Sequence, residues 1–557
     1  MSGHNRLAEH GQGPRWTASK RSVAGLSHLW HGLGAGVMAT TIDQGDCSDG
    51  ASEHWGPNPF QPIAAAVAGQ LTPIGRQLVP SGVVGQPDIV LIVTDQQRHD
   101  QVGWASDGFF ETPTLDGLAE RGVVFRHAYS AGATCVPGRV GLLTGVQLRR
   151  LVQPPQPVWP TGVWTVAHGL RAAGYQTALI GKMHFSPVHA DHGFEVHRSC
   201  EHLVNIKHGL RPDGTGDVDD YHQWLVDQGK ATWGRLEVGR PPTIDRAPPP
   251  ADAGTASFPF DIRYHPTTWI ENEVRTFVDG RDDDRPLFLV ISFPHPHVPL
   301  NPLGPYEQRY AESDVEIPLG AAVNDGLPDS FREATIGGSG PWGNWRVADH
   351  GEQELRERQT KIRALIRHID DALARLLTAF PLDRTLIAVT SDHGDYGGRR
   401  GLAGKSPWIP FDDLVRVPLV VAGAGVEGGR EVTTTVQSGD LVLTFCDVAG
   451  VDVPHEEFDS QSLLPLLHHP AHAEDPDRTA VFTYNPHWPG LCRGRMKLIE
   501  RRMTDEQALF DLDADPDESV NLADDPAFAA ELAHLREQLT LALDRGAPAI
   551  ELPTPAR

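Results

Sequence analysis

The chain has 557 residues, of which 39% are hydrophobic and 22% charged, and a formal net charge of −25, long enough for a large buried core and two to four domains. That acidity repels phosphate backbones and anionic lipid, so neither nucleic acid nor a membrane surface is an expected partner, and no stretch approaches the ~18 apolar residues of a membrane span. Five widely spaced cysteines (Cys47, Cys135, Cys200, Cys446, Cys492) form no CxxC, which argues against a disulfide framework or zinc site and for a reducing, cytoplasmic compartment.

Residues 1–86 alternate Gly, Pro, Ser and His with short apolar scraps and carry five charges of each sign. They read as a poorly ordered extension. His28 and His31 interrupt residues 22–42, the nearest approach to a signal segment. From Pro87 the character changes. Asp88–Thr94 is a β-branched run of the kind buried on both faces of a parallel sheet, and Gln176–Ile180, Leu287–Phe293, Leu386–Thr390 and Val417–Ala422 are similar. Over Gln353–Phe380, Ile362, Leu365, Ile366, Ile369, Leu373, Leu376 and Leu377 recur at helical spacing. The alternation predicts an α/β domain over residues 87–475, a large mainly parallel sheet sandwiched by helices. Residues 234–260, crowded with Pro and Gly, read as a surface insertion. Beyond 475, runs such as Ala480–Tyr484 and Met496–Ile499 predict a small C-terminal α+β subdomain over 476–557.

Polar residues follow four of these strands: Asp95-Gln96, Lys182-Met183-His184, His295-Pro296-His297 and Asp392-His393. One Asp in such a place is usually a turn residue and one His usually structural. Four strand ends in one chain point instead to a crevice outside the carboxyl edge of the sheet, where open α/β sheets bind ligands. Asp95, Asp392 and His393 offer oxygen and imidazole ligands to a divalent cation, Ca²⁺, Mg²⁺ or Mn²⁺. Lys182 and His184 lie two apart, so an extended backbone would project both to one face.

Cys135–Gly145 reads as a polar turn feeding a helix, with Cys135 near the positive end of the dipole and Arg139 one turn on. Both effects favour an anion at position 135. A thiol there is a candidate nucleophile; a buried structural cysteine is the plainer alternative.

Cys135-x-Pro137-x-Arg139 followed by Leu142-Leu143-Thr144-Gly145 resembles the core motif of the type I sulfatases of the alkaline phosphatase superfamily. Similar in order are Asp95-Gln96, Gly174-Tyr175, Lys182-x-His184, Pro296-His297-x-Pro299, Ile369-Asp370-Asp371, Ser391–Gly394, Lys405, Arg416–Leu419, and Leu509–Leu512 with Asp515-Pro516 to Asn521-Leu522. The chain departs from the common pattern at Gly138, where Ser is usual, at Gln96, where many members carry Asp, and at His393, where many carry Asn. The Asp-Gln and Asp-His pairing resembles the branch of choline sulfatases and phosphonate or phosphodiester hydrolases. Leu148–Pro160 lacks the usual Asn and offers Gln153 or Gln156 instead.

The resemblance implies an alkaline phosphatase-like fold and hydrolysis of a small anionic sulfate ester. It implies oxidation of Cys135 to formylglycine by a formylglycine-generating enzyme, the hydrate supplying the nucleophilic oxygen. Asp95, Gln96, Asp392 and His393 would hold one divalent cation together with residue 135, Ca²⁺ before Mn²⁺ or Mg²⁺. Arg139 would help hold the hydrate's charge and orientation. Lys182, His184, His297 and Lys405 would bind the sulfate, with His297 or His184 protonating the leaving oxygen. A phosphonate monoester or phosphodiester hydrolase is the alternative expectation, and a silent homologue that binds an anion without turnover is the second. The Lys-x-His pair favours the sulfatase. Loops 186–201, 301–318 and 337–345 would contact the leaving group, with Trp342, Trp345 and Trp408 as a candidate apolar wall.

Overall fold

Every residue from Ile89 to Asp95 is buried, because β1 (Asp88–Asp95) runs through the middle of a sheet covered on both faces. The computed structural model describes residues 85–151, 162–201, 219–228, 258, 260–310, 326–337, 345–468, 475–482 and 487–550. The expected N-terminal extension up to residue 84, nearly all of the 234–260 insertion, Gln153, Gln156 and Trp342 lie outside them.

The large sheet comprises β1, β2 (Val123–Phe125), β3 (Gln176–Gly181), β4 (Val196–Ser199), β5 (Leu287–Pro296), β6 (Thr385–Ser391), β7 (Leu419–Gly423) and β8 (Arg430–Val432). Their spatial order is β8–β2–β7–β6–β1–β5–β3–β4. Strand β1 pairs in parallel with β5 and β6, and β3 with β5 and β4. Only β7 is reversed, antiparallel to both β6 and β2. The 392–418 segment returns the chain to the same edge without a crossover helix, which requires an antiparallel neighbour.

Alternate residues of β1 enter different cores. Leu91 and Val93 join one cluster, with Val140, Leu142 and Leu143 of α1 (Cys135–Thr144). Val90 and Ile92 join the other, with Trp269, Ile270 and Val274 of α2 (Pro266–Asp279) and Ile369, Leu373 and Leu376 of α3 (Glu352–Leu376). This two-residue period is what a doubly covered sheet demands. Helix α4 (Asp440–Ala449) completes the first layer through Leu441, Val442 and Phe445. The predicted α3 stops at Leu376 and tightens into a 3₁₀ turn, Leu377–Ala379. Its Asp370 accepts the backbone N–H groups of Thr114 and Leu115, both at 3.0 Å, capping the helix Pro113–Ala119.

The C-terminal part is an antiparallel sheet of β9 (Thr479–Phe482), β10 (Gly490–Arg493), β11 (Met496–Arg501) and β12 (Glu506–Asp511). One face packs on Leu532, Leu535 and Leu539 of α5 (Ala529–Asp544). The other joins Tyr129, Phe411, Leu414 and Val415 in a shared core, so the subdomain is continuous with the large sheet's body. Among the described residues no helix is long and apolar enough to cross a membrane.

Candidate active site

Because β1 and β6 are adjacent and in register (Thr94 opposite Ser391), Asp95 at the end of one comes beside Asp392 and His393 after the other. Cys135 opens α1 directly below them, after an extended Thr134. Ligand atoms of Asp95, Cys135, Asp392 and His393 all lie within 4.8 Å of one another, and all four residues are buried. Gln96 turns away from the strand at φ 67° and its N–H donates to Asp392 Oδ1 at 3.0 Å. Its amide nitrogen donates to Asp395, while its Oε1 is buried without a hydrogen-bond partner among the described residues. Carboxylates, one imidazole and an orphaned amide oxygen fit a hard or borderline divalent cation.

Arg139 does something the spacing did not convey. Its Nε donates to Asp392 Oδ2 at 2.7 Å and its Nη2 to Asp95 Oδ2 at 3.0 Å, so it braces the two carboxylates. Nη1 reaches the Lys182 carbonyl (2.6 Å) and Ser292 Oγ (2.9 Å). The same guanidinium also feels charge at residue 135, after that of Asp392 and Asp95. Burial raises the Cys135 pKa, yet Lys405, Lys182 and His393 bring it well below the usual thiol range. Lys405 Nζ donates to Cys135 Sγ at 3.0 Å, and His393 Nε2 lies 3.2 Å away.

The carboxylates repel each other. Burial and the Asp95 charge push Asp392 up to about 6. Asp95 resists burial and the Cys135 charge, because Lys182 (2.6 Å from its Oδ2), His297 and Arg139 hold it well below the ordinary range. A divalent cation between them relieves that conflict.

Lys182 and His184 both reach residue 135, but not on an extended backbone. His184 adopts φ 68°, held there by Glu201, which accepts the N–H of Met183 at 2.8 Å and that of His184 at 3.0 and 2.9 Å. Burial, then Lys182, pushes the His184 imidazole down to about 3, so it is neutral in the resting site. His297 is lowered too, by burial and by Lys405, whose ammonium donates to its Nε2 at 2.9 Å. Burial lowers His393, but Asp392 and Cys135 together leave it raised.

Ser292, Glu201 and Asp395 are site neighbours that motif reading missed. Ser292 did leave a signal, as the lone polar residue within the apolar run Leu287–Phe293. Trp408 is half-buried against the core shared with the C-terminal sheet, a packing role.

Gly138 explains one departure in physical terms. A Cβ there would sit 2.1 Å from the Asp392 carbonyl oxygen and 2.8 Å from Ser130 Oγ, and that hydroxyl itself donates to the same carbonyl at 2.5 Å. The helix therefore presses against the metal-side turn with no room to spare. Gly138→Ala is expected to cost about 1–3 kcal/mol by overpacking and to weaken binding of a divalent cation at Asp95 and Asp392 at least tenfold. Thermal melts and titrations with Ca²⁺, Mn²⁺ and Mg²⁺ check this, and an unchanged affinity for whichever ion binds would refute the close fit.

The sulfatase family profile matches residues 87–451, and a profile for the C-terminal region of N-sulphoglucosamine sulphohydrolase matches 408–544. An arylsulfatase of Clostridium perfringens is 27% identical over 82% of this chain and 95% of its own length. A choline-sulfatase of Rhizobium meliloti is 29% identical over 79% and 83%. Among solved structures, the phosphonate monoester hydrolase of Silicibacter pomeroyi superposes with a TM-score of 0.65 at 22% identity, over 83% of this chain and 96% of that one, a likeness of fold.

Proposed function

Since the chain belongs to the sulfatase family and is a sulfuric ester hydrolase, we propose that it cleaves a small sulfate ester at residue 135 after conversion of Cys135 to formylglycine. The observation that carries this reading is one buried side chain, Cys135, ringed by two carboxylates, three imidazoles and two ammonium groups. As formylglycine hydrate, residue 135 supplies the attacking oxygen and a second hydroxyl through which sulfate is expelled. A divalent cation, Ca²⁺ before Mn²⁺ or Mg²⁺, held by Asp95, Gln96, Asp392 and His393 supplies Lewis acidity that stabilises negative charge at that position.

The remaining work falls to the protein's own groups. Arg139 keeps Asp95 and Asp392 at fixed separation. Lys182 and Lys405 approach residue 135 and form a local cationic grip inside a protein of charge −25, the field reversal that an anionic ester requires. The leaving-oxygen proton is assigned to the Lys405–His297 pair. His297 Nδ1 is bonded to the Val298 carbonyl at 2.6 Å, so Nδ1 carries the ring hydrogen and Nε2 is the nitrogen that takes a proton from Lys405 and passes it on. His184, pushed down to about 3, is neutral and has no extra proton to give.

A panel of aryl sulfate, choline sulfate, phosphodiester and phosphonate monoester esters tests the reading, with a sulfate ester expected to be turned over best. Preference for the diester or phosphonate would decide for the alternative, and no turnover by matured protein for the silent homologue. Lys182→Ala is expected to lower sulfate ester turnover about a hundredfold, the scale of one transition-state charge contact. Any phosphodiester turnover should fall much less, because that substrate carries a carbon group where the grip closes. Equal losses on both would remove Lys182 from the specificity argument.

A further inference from the structure

Lys405 sits in the segment that leaves β6 after Ser391 and enters β7 at Leu419. Its ammonium meets Cys135, His297 and His393, and among the described residues no carboxylate lies within ion-pair distance of it. Its head thus meets one sulfur and two imidazoles, and where the side chain starts is set by the backbone beneath.

That backbone is clamped from the C-terminal subdomain. Arg400 lies on one arm of the loop, and Phe411, Asp412 and Asp413 on the other. Glu518 Oε2 accepts from both arms at once, from Arg400 Nη2 at 3.0 Å and from the Asp412 N–H at 2.8 Å. Lys497 of β11 lies 2.7 Å from Asp412 Oδ1 and from Glu518 Oε1. Arg400 ties the arms directly too: its Nε donates to Asp413 Oδ2 at 2.9 Å and its guanidinium lies 3.7 Å from the Phe411 ring centroid. Lys497 and Glu518 are both 0% exposed. Arg400 and Glu518 also hold left-handed backbone, φ 56° and 49°, which costs a non-glycine residue energy.

A buried ionic cluster of this kind adds little stability over an apolar one of equal volume. Directional bonds do supply a fixed placement. We propose that Glu518, seated by Lys497, is a positioning residue that holds both arms of the loop and so sets Lys405 against residue 135; the C-terminal subdomain thereby completes the active site. This rests on the role given to Lys405 above.

The test is a double-mutant cycle on matured full-length protein, with formylglycine content measured for each variant and an aryl sulfate as probe. Lys405→Ala should lower kcat/KM about a hundredfold, and Glu518→Ala by at least tenfold. Glu518→Ala placed on Lys405→Ala should cost no more than a further twofold, because a misplaced lysine and an absent one are equivalent. Glu518→Gln keeps an acceptor for both arms and should retain most turnover. Equal losses from Glu518→Ala with and without Lys405, or no loss with it, would overturn the proposal. Full activity in Lys405→Ala would instead strike the role of Lys405 itself, and the proposal with it. If Glu518→Ala does not fold, Arg400→Met takes its place in the same cycle, with the same outcomes deciding.

Discussion

Cys135→Ala is expected to reduce sulfate ester turnover to background, a loss of about 10⁵-fold or more, the scale seen when a nucleophile is removed. The fold should survive it. Cys135 contributes one small buried side chain at the head of α1, and the alanine keeps its Cβ and its helical backbone. What disappears is the atom that Lys405 and His393 address at 3.0 and 3.2 Å. The matching mass measurement on wild type made with a formylglycine-generating enzyme should find the peptide around residue 135 lighter by the thiol-to-aldehyde difference. An active preparation whose residue 135 is a thiol throughout would defeat the mechanism, as would an active Cys135→Ala.

The second large effect belongs to the carboxylates. Asp95→Ala and Asp392→Ala should each abolish metal retention, read by elemental analysis, and lower turnover by roughly 10³-fold or more, as loss of a major electrostatic stabiliser does. Their costs in stability should differ. Asp95 faces both Arg139 (3.0 Å) and Lys182 (2.6 Å), so its removal leaves two buried cations with too few partners. Arg139 keeps Asp95 when Asp392 is removed. Stranding buried charge costs about 3–5 kcal/mol, so Asp95→Ala should melt lower than Asp392→Ala. Full metal occupancy in either variant would refute the ligand assignment.

Asp95, Lys182, His297 and Asp392 are legible from the chain alone for one reason. Doubly buried parallel strands read as unbroken β-branched runs, and whatever polar residue ends such a run lies on the carboxyl edge. Cys135 and Lys405 have no such marker. One opens a helix and the other rides a loop, so their approach to the strand ends came only through the resemblance. Backbone conformation was the least legible. The left-handed His184 depends on Glu201, a residue whose partner Asp219 lies across a segment of no discernible pattern. The bracing of Asp95 and Asp392 by Arg139 is not legible either, because spacing along α1 gives its distance from Cys135 but not the pull of two carboxylates arriving from other strands. The reversed β7 looked like its neighbours because a strand's apolar pattern carries no information about its direction.

Translation adds a schedule to the clamp at Glu518. Arg400, Asp412 and Asp413 emerge from the ribosome about a hundred residues before Lys497 and Glu518, an interval of roughly 5–20 s at ordinary synthesis rates. Once β7 and β8 have followed, the growing polypeptide holds Cys135 and every strand of the large sheet, yet lacks the two residues that tie down the arms around Lys405. In the finished chain Cys135 is 5% exposed, so an enzyme that converted it to formylglycine, as proposed above, would have to arrive before this late closure. Under that proposal the order of residues along the gene would open a period for modification and then end it.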